Sequence, residues 1–377
     1  MNGYPIREIF ASAFPSYGKT HSLSEGQRSA ANMILSCKTG KLGYSSSICP
    51  ECGHREVHSR SCRNRNCPSC QAVDKERWVD ARNAELIDGS YFHIVFTIPE
   101  QLNDLVYMNP SLLYGLLMDS SAQSVLELAA DRKFLGAEPG IISILHTWGQ
   151  ELQFHPHAHC IVSGNGLSRD LKLREGSSSF FVPVKVLAAK FRGKFLYLLG
   201  SLYDSRKLFF PSSMEHLADP SRWDAFLHSL YSMEWNVHIK QTFNGNGNAI
   251  DYFGRYAYRV AISNNRILSY DSDAVSFSAR DHVNGGKKTV TLSSEEFIRR
   301  FLLHVLPKGF HKIRYYGFLA NAAKTRKLNL IFTLQNHRAF TRKYINASAA
   351  DIILDVWGKN IAVCPCCGAP LFSPNSA

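Results

Sequence analysis

At Tyr91 the chain changes from a charged texture to an apolar one, and YFHIVFTIP reads as a buried strand stopped by Pro99. Asn109-Pro110 then opens a long helical run through Ala130, with proline at the first helical position, where its missing N–H costs nothing. Two further strand-like runs, IISILHTW and HPHAHCIV, are separated only by GQELQF, which predicts a hairpin. Residues from about 168 to 232 read as an insertion with helical patterns at VKVLAAKFRGKFLYLLGSLY and near RWDAFLHSLYSM. Beyond it Trp235, Val237 and Ile239 alternate as one face of a strand. The polar FNGNGN comes next, then a helix expected over AIDYFGRYAYRVAI. VSF and TVTL flank an Asn-Gly-Gly turn as a second hairpin. Ser293 and Glu296 cap the helix EEFIRRFLLHVL.

Upstream, Ser24 and Gln27 form a capping box that opens a helix through Leu35. A cysteine-rich segment runs from Cys37 to Cys70, and a charged, helix-like stretch from Ala72 to Ile87 joins it to the strand at Tyr91. No internal repeat or low-complexity tract interrupts this order. With 377 residues, 45% hydrophobic and 20% charged, the chain can build two or three cores, which excludes disorder as the default.

Lysine and arginine number 43 against 31 acidic residues, a net charge of +12 that favours a polyanionic partner, nucleic acid first among them. Charge alone fits a merely basic protein equally well. Of the ten cysteines, six lie between Cys37 and Cys70 and three between Cys364 and Cys367, a clustering that suits metal binding better than a disulfide framework. The sequence shows no basic-then-apolar leader and no run near the ~20 apolar residues of a membrane span. The expectation is a soluble, cytoplasmic protein.

Cys49-x2-Cys52 and Cys67-x2-Cys70 are two knuckles whose spacing is close to that at which four thiolates close a structural zinc site. Such a module is expected to unfold on chelation while the rest of the chain stays folded. Cys37, Cys62, His54 and His58 are surplus to it and available for a second site. Arg55, Arg60, Arg63 and Arg65 around the knuckles suit phosphate contacts or a solvated charged face. Cys364 and Cys367 make one more knuckle with no second beside it, so three readings stay open: distant ligands, weak binding, or a remnant of a longer domain.

In FHPHAHCIV, His155, His157 and His159 alternate and project from one face of a strand, a rigid mount of the kind a catalytic metal needs. Tyr252 and Tyr256, four residues apart, share one helix face, with Arg255 and Arg259 beside them and Tyr258 off that face.

Carrying these histidines, tyrosines and cysteines, the sequence resembles the two-tyrosine HUH transposases of the rolling-circle type, the group named after insertion sequence 91. The resemblance rests on CPECGHREVHSRSCRNRNCPSCQ, YFHIVFTIPEQLN, LHTWGQELQFHPHAHCIVSG, YFGRYAYRVAISNNRI and LLHVLPKGFHKIRYYGFLAN, in that order and reaching from about residue 20 to 325. It implies an α+β fold: an antiparallel-sheet core with the HUH strand central, the tyrosine helix alongside and helical insertions, preceded by a small zinc-binding domain. It also implies that His157 and His159 bind a divalent metal, Mg2+ or Mn2+, and that Tyr252 and Tyr256 are the nucleophile pair. For the third ligand, a hairpin turn near Gln150 would set His146 opposite His157, with Gln153 and His155 as rivals. Zn2+ is expected at Cys49, Cys52, Cys67 and Cys70.

The domains expected are 1–88, zinc-binding and DNA-contacting; 89–325, catalytic; and 326–377, a tail with a single knuckle. The activity expected is nicking and rejoining of single DNA strands through a 5′-phosphotyrosine, in a bacterial, nucleoid-associated setting. Its DNA partners are single-stranded transposon ends and a target. A host helicase joins them because no glycine-rich lysine motif marks an ATPase domain. Lys308, His311, Lys312 and Arg314 are candidate DNA contacts, with Tyr315 and Tyr316 as stacking platforms. Two readings of other classes are a zinc-dependent DNA-binding regulator, which forms no covalent adduct, and a metallohydrolase, which survives loss of both tyrosines.

Overall fold

The computed structural model describes residues 5–177, 181–244, 254, 256–281, 285–336 and 341–371. The N-terminal third holds α1 (Pro5–Thr20), α2 (Glu25–Ser36), the short strands β1 (Tyr44–Ile48) and β2 (Arg55–Ser59), and α3 (Ala72–Asn83). Then come β3 (Ser90–Thr97), α4 (Asn103–Met108), α5 (Pro110–Ala129), β4 (Glu138–Trp148), β5 (Phe154–Leu167) and β6 (Leu173–Arg174). Next in order are α6 (Val184–Asp204), α7 (Pro220–Ser232), β7 (Val237–Asn244), β8 (Ile267–Tyr270), β9 (Ala274–Arg280), β10 (Lys287–Ser293) and α8 (Ser294–Leu303). The chain closes with β11 (Ile313–Gly317), α9 (Lys324–Leu334) and α10 (Ala349–Trp357).

The main sheet runs β11-β4-β5-β3-β7, every neighbour antiparallel, with β6 paired to β5. The class is α+β, and the triple-histidine strand β5 lies inside the sheet between β4 and β3. Because side chains alternate across a strand, each strand feeds two cores. Phe92, Ile94, Phe96, Ile141, Leu145, Ala158, Cys160 and Val162 point to the face covered by α5 and α6. Tyr91, Ile142, Ile144 and Ile161 point the other way, against Trp78 and Val79 of α3 and Leu328 and Ile331 of α9. The stretch read as an insertion belongs to the first of these cores, for Phe191 of α6 packs edge-on against Phe96 at 5.0 Å between ring centroids.

A third core joins the N-terminal helices to the segment from 261 to 302. α1 was not among the expected elements, although Ile6, Ile9, Phe10, Ala13, Phe14 and Tyr17 recur at helical spacing. They pack with Ile34 of α2 against Val275 and Phe277 of β9 and Phe297, Ile298 and Phe301 of α8. The N-terminal segment therefore shares its core with residues from 261 to 302.

Local signals explain several helix starts. Ser24 and Gln27 close both bonds of the capping box, and Ser293 Oγ accepts from the Glu296 amide at the start of α8. The second hairpin forms as β9–β10 and gains β8 as a third strand. The helix expected over AIDYFGRYAYRVAI is only partly described: Gly254, Tyr256 and Ala257 are helical, the chain turns at Tyr258, and 259–262 are not helical. Ala261 and Ile262 are instead drawn into the third core, which ends the helix early. No helix among the described residues is long and apolar enough to cross a membrane.

Candidate active site

The histidines sit on the α3 and α9 face of the sheet because strand parity puts them there. His146 on β4 lies directly opposite His157 on β5, and His159 opposite Ile144. One ligand atom from each of His146, His157 and His159 falls within 4.8 Å of the others. Of the rivals, His155 stays outside this group and lends its carbonyl to His157 Nδ1 at 2.7 Å, while Gln153 Oε1 accepts from the Glu151 amide within the turn.

Each of the three imidazoles is tied at one nitrogen and open at the other. His146 Nε2 donates to the Tyr256 carbonyl at 2.8 Å, leaving Nδ1. His157 Nδ1 donates to the His155 carbonyl, leaving Nε2. His159 Nδ1 meets His93 Nε2 of β3 at 2.8 Å; with His159 donating, its Nε2 is left. A fixed outer hydrogen bond with a lone pair facing inward is the arrangement of metal-binding histidines. Burial pushes His157 and His93 down to about 4 and His146 and His159 well below the ordinary histidine range, so all four are neutral, as ligation requires. The residues present thus fit a divalent cation. His93 was not among the residues expected at the site; its signal was parity, since His93 faces the same side of β3 as Tyr91.

Tyr256 closes the site. Its ring lies 4.8 Å from the His159 ring, 5.4 Å from His93 and 5.9 Å from His146 between centroids. Its partner Tyr252, like Arg255, lies outside the described residues. Tyr258 turns away and packs edge-on against Trp78 at 6.2 Å. Arg259 and Lys312 carry no ion pair among the described residues, and with the neutral histidines they leave the site short of negative charge. Burial lowers Lys312 to about 8, with the Arg65 charge adding to the effect.

Other expected DNA contacts have partners inside the protein. The Tyr315 hydroxyl is held by Arg82 at 2.5 Å and Trp78 at 3.2 Å, whereas Tyr316 donates to Asp119 at 2.6 Å beside Arg314. These two phenols are structural parts of β11 rather than open stacking platforms. Arg65 caps the carbonyls of Leu306, Pro307 and Phe310. Arg55, Arg60, Arg63, Lys308 and His311 remain exposed.

The cysteines correct the expected zinc site. Cys49 and Cys52 do not meet Cys67 and Cys70. Cys67 and Cys70 gather with Cys37 and Cys62, while Cys49 and Cys52 gather with Cys364 and Cys367. In the first group Cys37 and Cys62 lie 3.6 and 3.7 Å from Cys70, and hydrogen bonds from Cys62 and Cys67 hold the Cys70 thiol well below its ordinary range. The physical reason is where the chain runs: Cys37 ends α2 and is buried in the third core with Cys62 and Cys67, whereas β1 carries Cys49 out along an exposed hairpin. His54 and His58 join neither group, His58 pairing with Glu56 at 3.2 Å.

Residues 140–327 match the family described as "Putative transposase", and residues 9–98 match the "Transposase zinc-binding domain" of the insertion sequence 91 type. The protein named "Putative transposase y4qJ" of Sinorhizobium fredii is 41% identical over 374 residues, covering 97% of this chain and 93% of that one. The "Transposase for insertion sequence element IS801" of Pseudomonas savastanoi pv. phaseolicola is 32% identical over 313 residues, covering 80% and 73%. No solved structure matches.

Proposed function

Since the chain belongs to the insertion sequence 91-like transposases and carries that family's N-terminal zinc-binding domain, we propose that it nicks and rejoins single DNA strands in rolling-circle transposition, through a 5′-phosphotyrosine. The observation that carries this reading is the convergence of His146, His157 and His159, each with one nitrogen open, on the ring of Tyr256.

A tyrosine hydroxyl titrates near 10 and is a weak nucleophile at neutral pH, so the site must stabilise the transition state. His146, His157 and His159 would hold Mg2+ or Mn2+, which supplies polarisation of the scissile phosphate. Arg259 and Lys312 offset the phosphate charge. Tyr256 or Tyr252 forms an ester bond to phosphorus as the bond to the 3′-oxygen breaks. The phenol gives up its proton, the released 3′-hydroxyl gains one, and no water is consumed. The ester so formed preserves the bond for rejoining, and a second tyrosine permits a second transfer, to a target strand. Transposon ends as single strands, a target strand and a host helicase that exposes them are the partners of this scheme, and Zn2+ held by Cys37, Cys62, Cys67 and Cys70 serves structurally.

The test is incubation with single-stranded transposon-end DNA and Mn2+, followed by a denaturing gel. The wild type gives a covalent protein–DNA band. The double variant Tyr252→Phe/Tyr256→Phe, which keeps both ring volumes, binds DNA and gives none. A protein-linked 5′ end persisting in that variant overturns the pair and transfers attention to Tyr258.

A further inference from the structure

The hairpin β1–β2 is a two-stranded sheet on its own, with Tyr44, Ile48 and Val57 exposed. Two isolated strands are marginal in water, so something other than a core must order them. At its tip runs Cys49-Pro50-Glu51-Cys52-Gly53-His54: the Cys49 amide donates to the His54 carbonyl at 2.8 Å and the Gly53 amide to the Cys49 carbonyl at 3.0 Å, with Gly53 at φ +70°. Far along the chain, Cys364-Pro365-Cys366-Cys367-Gly368-Ala369 makes the same turn. There the Cys364 amide donates to the Ala369 carbonyl at 2.7 Å and the Gly368 amide to the Cys364 carbonyl at 2.9 Å, with Gly368 at φ +76°. The positive φ at the residue after the second cysteine is what glycine permits, and it frees both sulfurs of the turn to point the same way.

The two turns face each other. Cys49 Sγ lies 3.4 Å from Cys367 Sγ and Cys52 Sγ 3.5 Å from Cys364 Sγ, and all four sulfurs are within 4.8 Å. Sulfurs about 2.3 Å from one zinc stand roughly 3.8 Å apart in a tetrahedron, whereas disulfide sulfurs stand about 2.05 Å apart. The spacing is that of a shared metal. The tail is also led to the hairpin: Asp80 of α3 accepts from the amides of Lys343 and Tyr344, and Arg77 donates to the Ala347 carbonyl, which lays the residues before α10 along α3.

We propose that Cys49, Cys52, Cys364 and Cys367 bind a second structural Zn2+, which ties the tail to the hairpin and fixes Arg55 and Arg60 in place. The family's zinc-binding domain matches only residues 9–98, so this site lies partly outside it. Binding exchanges thiol protons for the metal and involves no oxidation. The inference does not depend on the nicking chemistry and survives its failure.

The unmodified full-length protein tests it first. Cys52, Cys366 and Cys367 are all exposed, so by access alone all three label alike with a maleimide. With zinc in place, Cys366 labels in the native protein, and Cys52 and Cys367 label only after a chelator is added. Elemental analysis finds two zinc ions per chain, falling to one in Cys364→Ser/Cys367→Ser and unchanged in Cys366→Ser. Labelling of Cys52 and Cys367 as fast as Cys366, or one zinc per wild-type chain, overturns the proposal.

Discussion

His157, half-buried, and His93, buried, illustrate how differently two histidines on one sheet face act. His157 presents an open Nε2 to the centre, while His93 stands behind His159, bonded to its Nδ1, and beside the Tyr256 ring. Removing a ligand removes polarisation of the phosphate, but DNA affinity comes mostly from basic side chains. His157→Ala and His159→Ala should therefore abolish cleavage and keep DNA binding. Loss of an outer partner typically costs about 10- to 100-fold in metal affinity. His93→Ala should accordingly need roughly that much more Mn2+ for half-maximal cleavage and recover its rate when Mn2+ is raised. Titrating Mn2+ against cleavage separates the two: recovery of His157→Ala by added metal would remove it from the ligand set, and an unshifted His93→Ala would show that the outer bond does not support the metal.

At the scale of elements, the tyrosine turn is held by a contact with no slack. A Cβ on Gly254 would stand 2.3 Å from Val79 Cγ2 of α3, a buried, β-branched side chain with little freedom to move. Gly254→Ala should push the turn off α3 and draw Tyr256 away from the histidines, reducing adduct formation strongly with a modest loss of melting temperature. Val79→Ala in the same chain should restore much of the adduct; a second variant that stays inactive refutes the contact as the cause. What was legible here was local. Alternation along HPHAHCIV fixed the histidine face, and the short GQELQF connection put His146 opposite His157. Asn109-Pro110 and the serine caps marked helix starts for the same reason, since each signal spans only a few residues. The helix through Ile262 failed because tertiary burial of Ala261 and Ile262 overrides a spacing pattern. The cysteine partners failed because they are 312 and 318 positions away, although the C-P-x-C-G signature shared by Cys49 and Cys364 was a signal that could have paired them.

For the whole molecule, the decisive feature is that the first cysteine group is built into a core rather than appended to one. Cys37, Cys62 and Cys67 lie in the same cluster as Ile6, Phe10, Phe297 and Phe301, together with Leu152 from the turn between β4 and β5. That turn joins the strands bearing His146 and His157, and Arg300 of α8 donates to the Glu151 carbonyl within it at 3.0 Å. A structural zinc contributes folding free energy on the order of 10 kcal/mol in small modules, comparable to the whole stability of a domain. A module with its own boundary would unfold alone, as the knuckle spacing suggested. A shared core transmits the loss instead. Cys62→Ser/Cys67→Ser should thus lose amide protection in hydrogen exchange not only over 37–70 but also in α1, α2 and α8, and its DNA cleavage should fall although no histidine or tyrosine is altered. Protection lost over 37–70 alone, with cleavage unchanged, would show that the group is thermodynamically separate and that the core packed around it carries no coupling to the histidine strands.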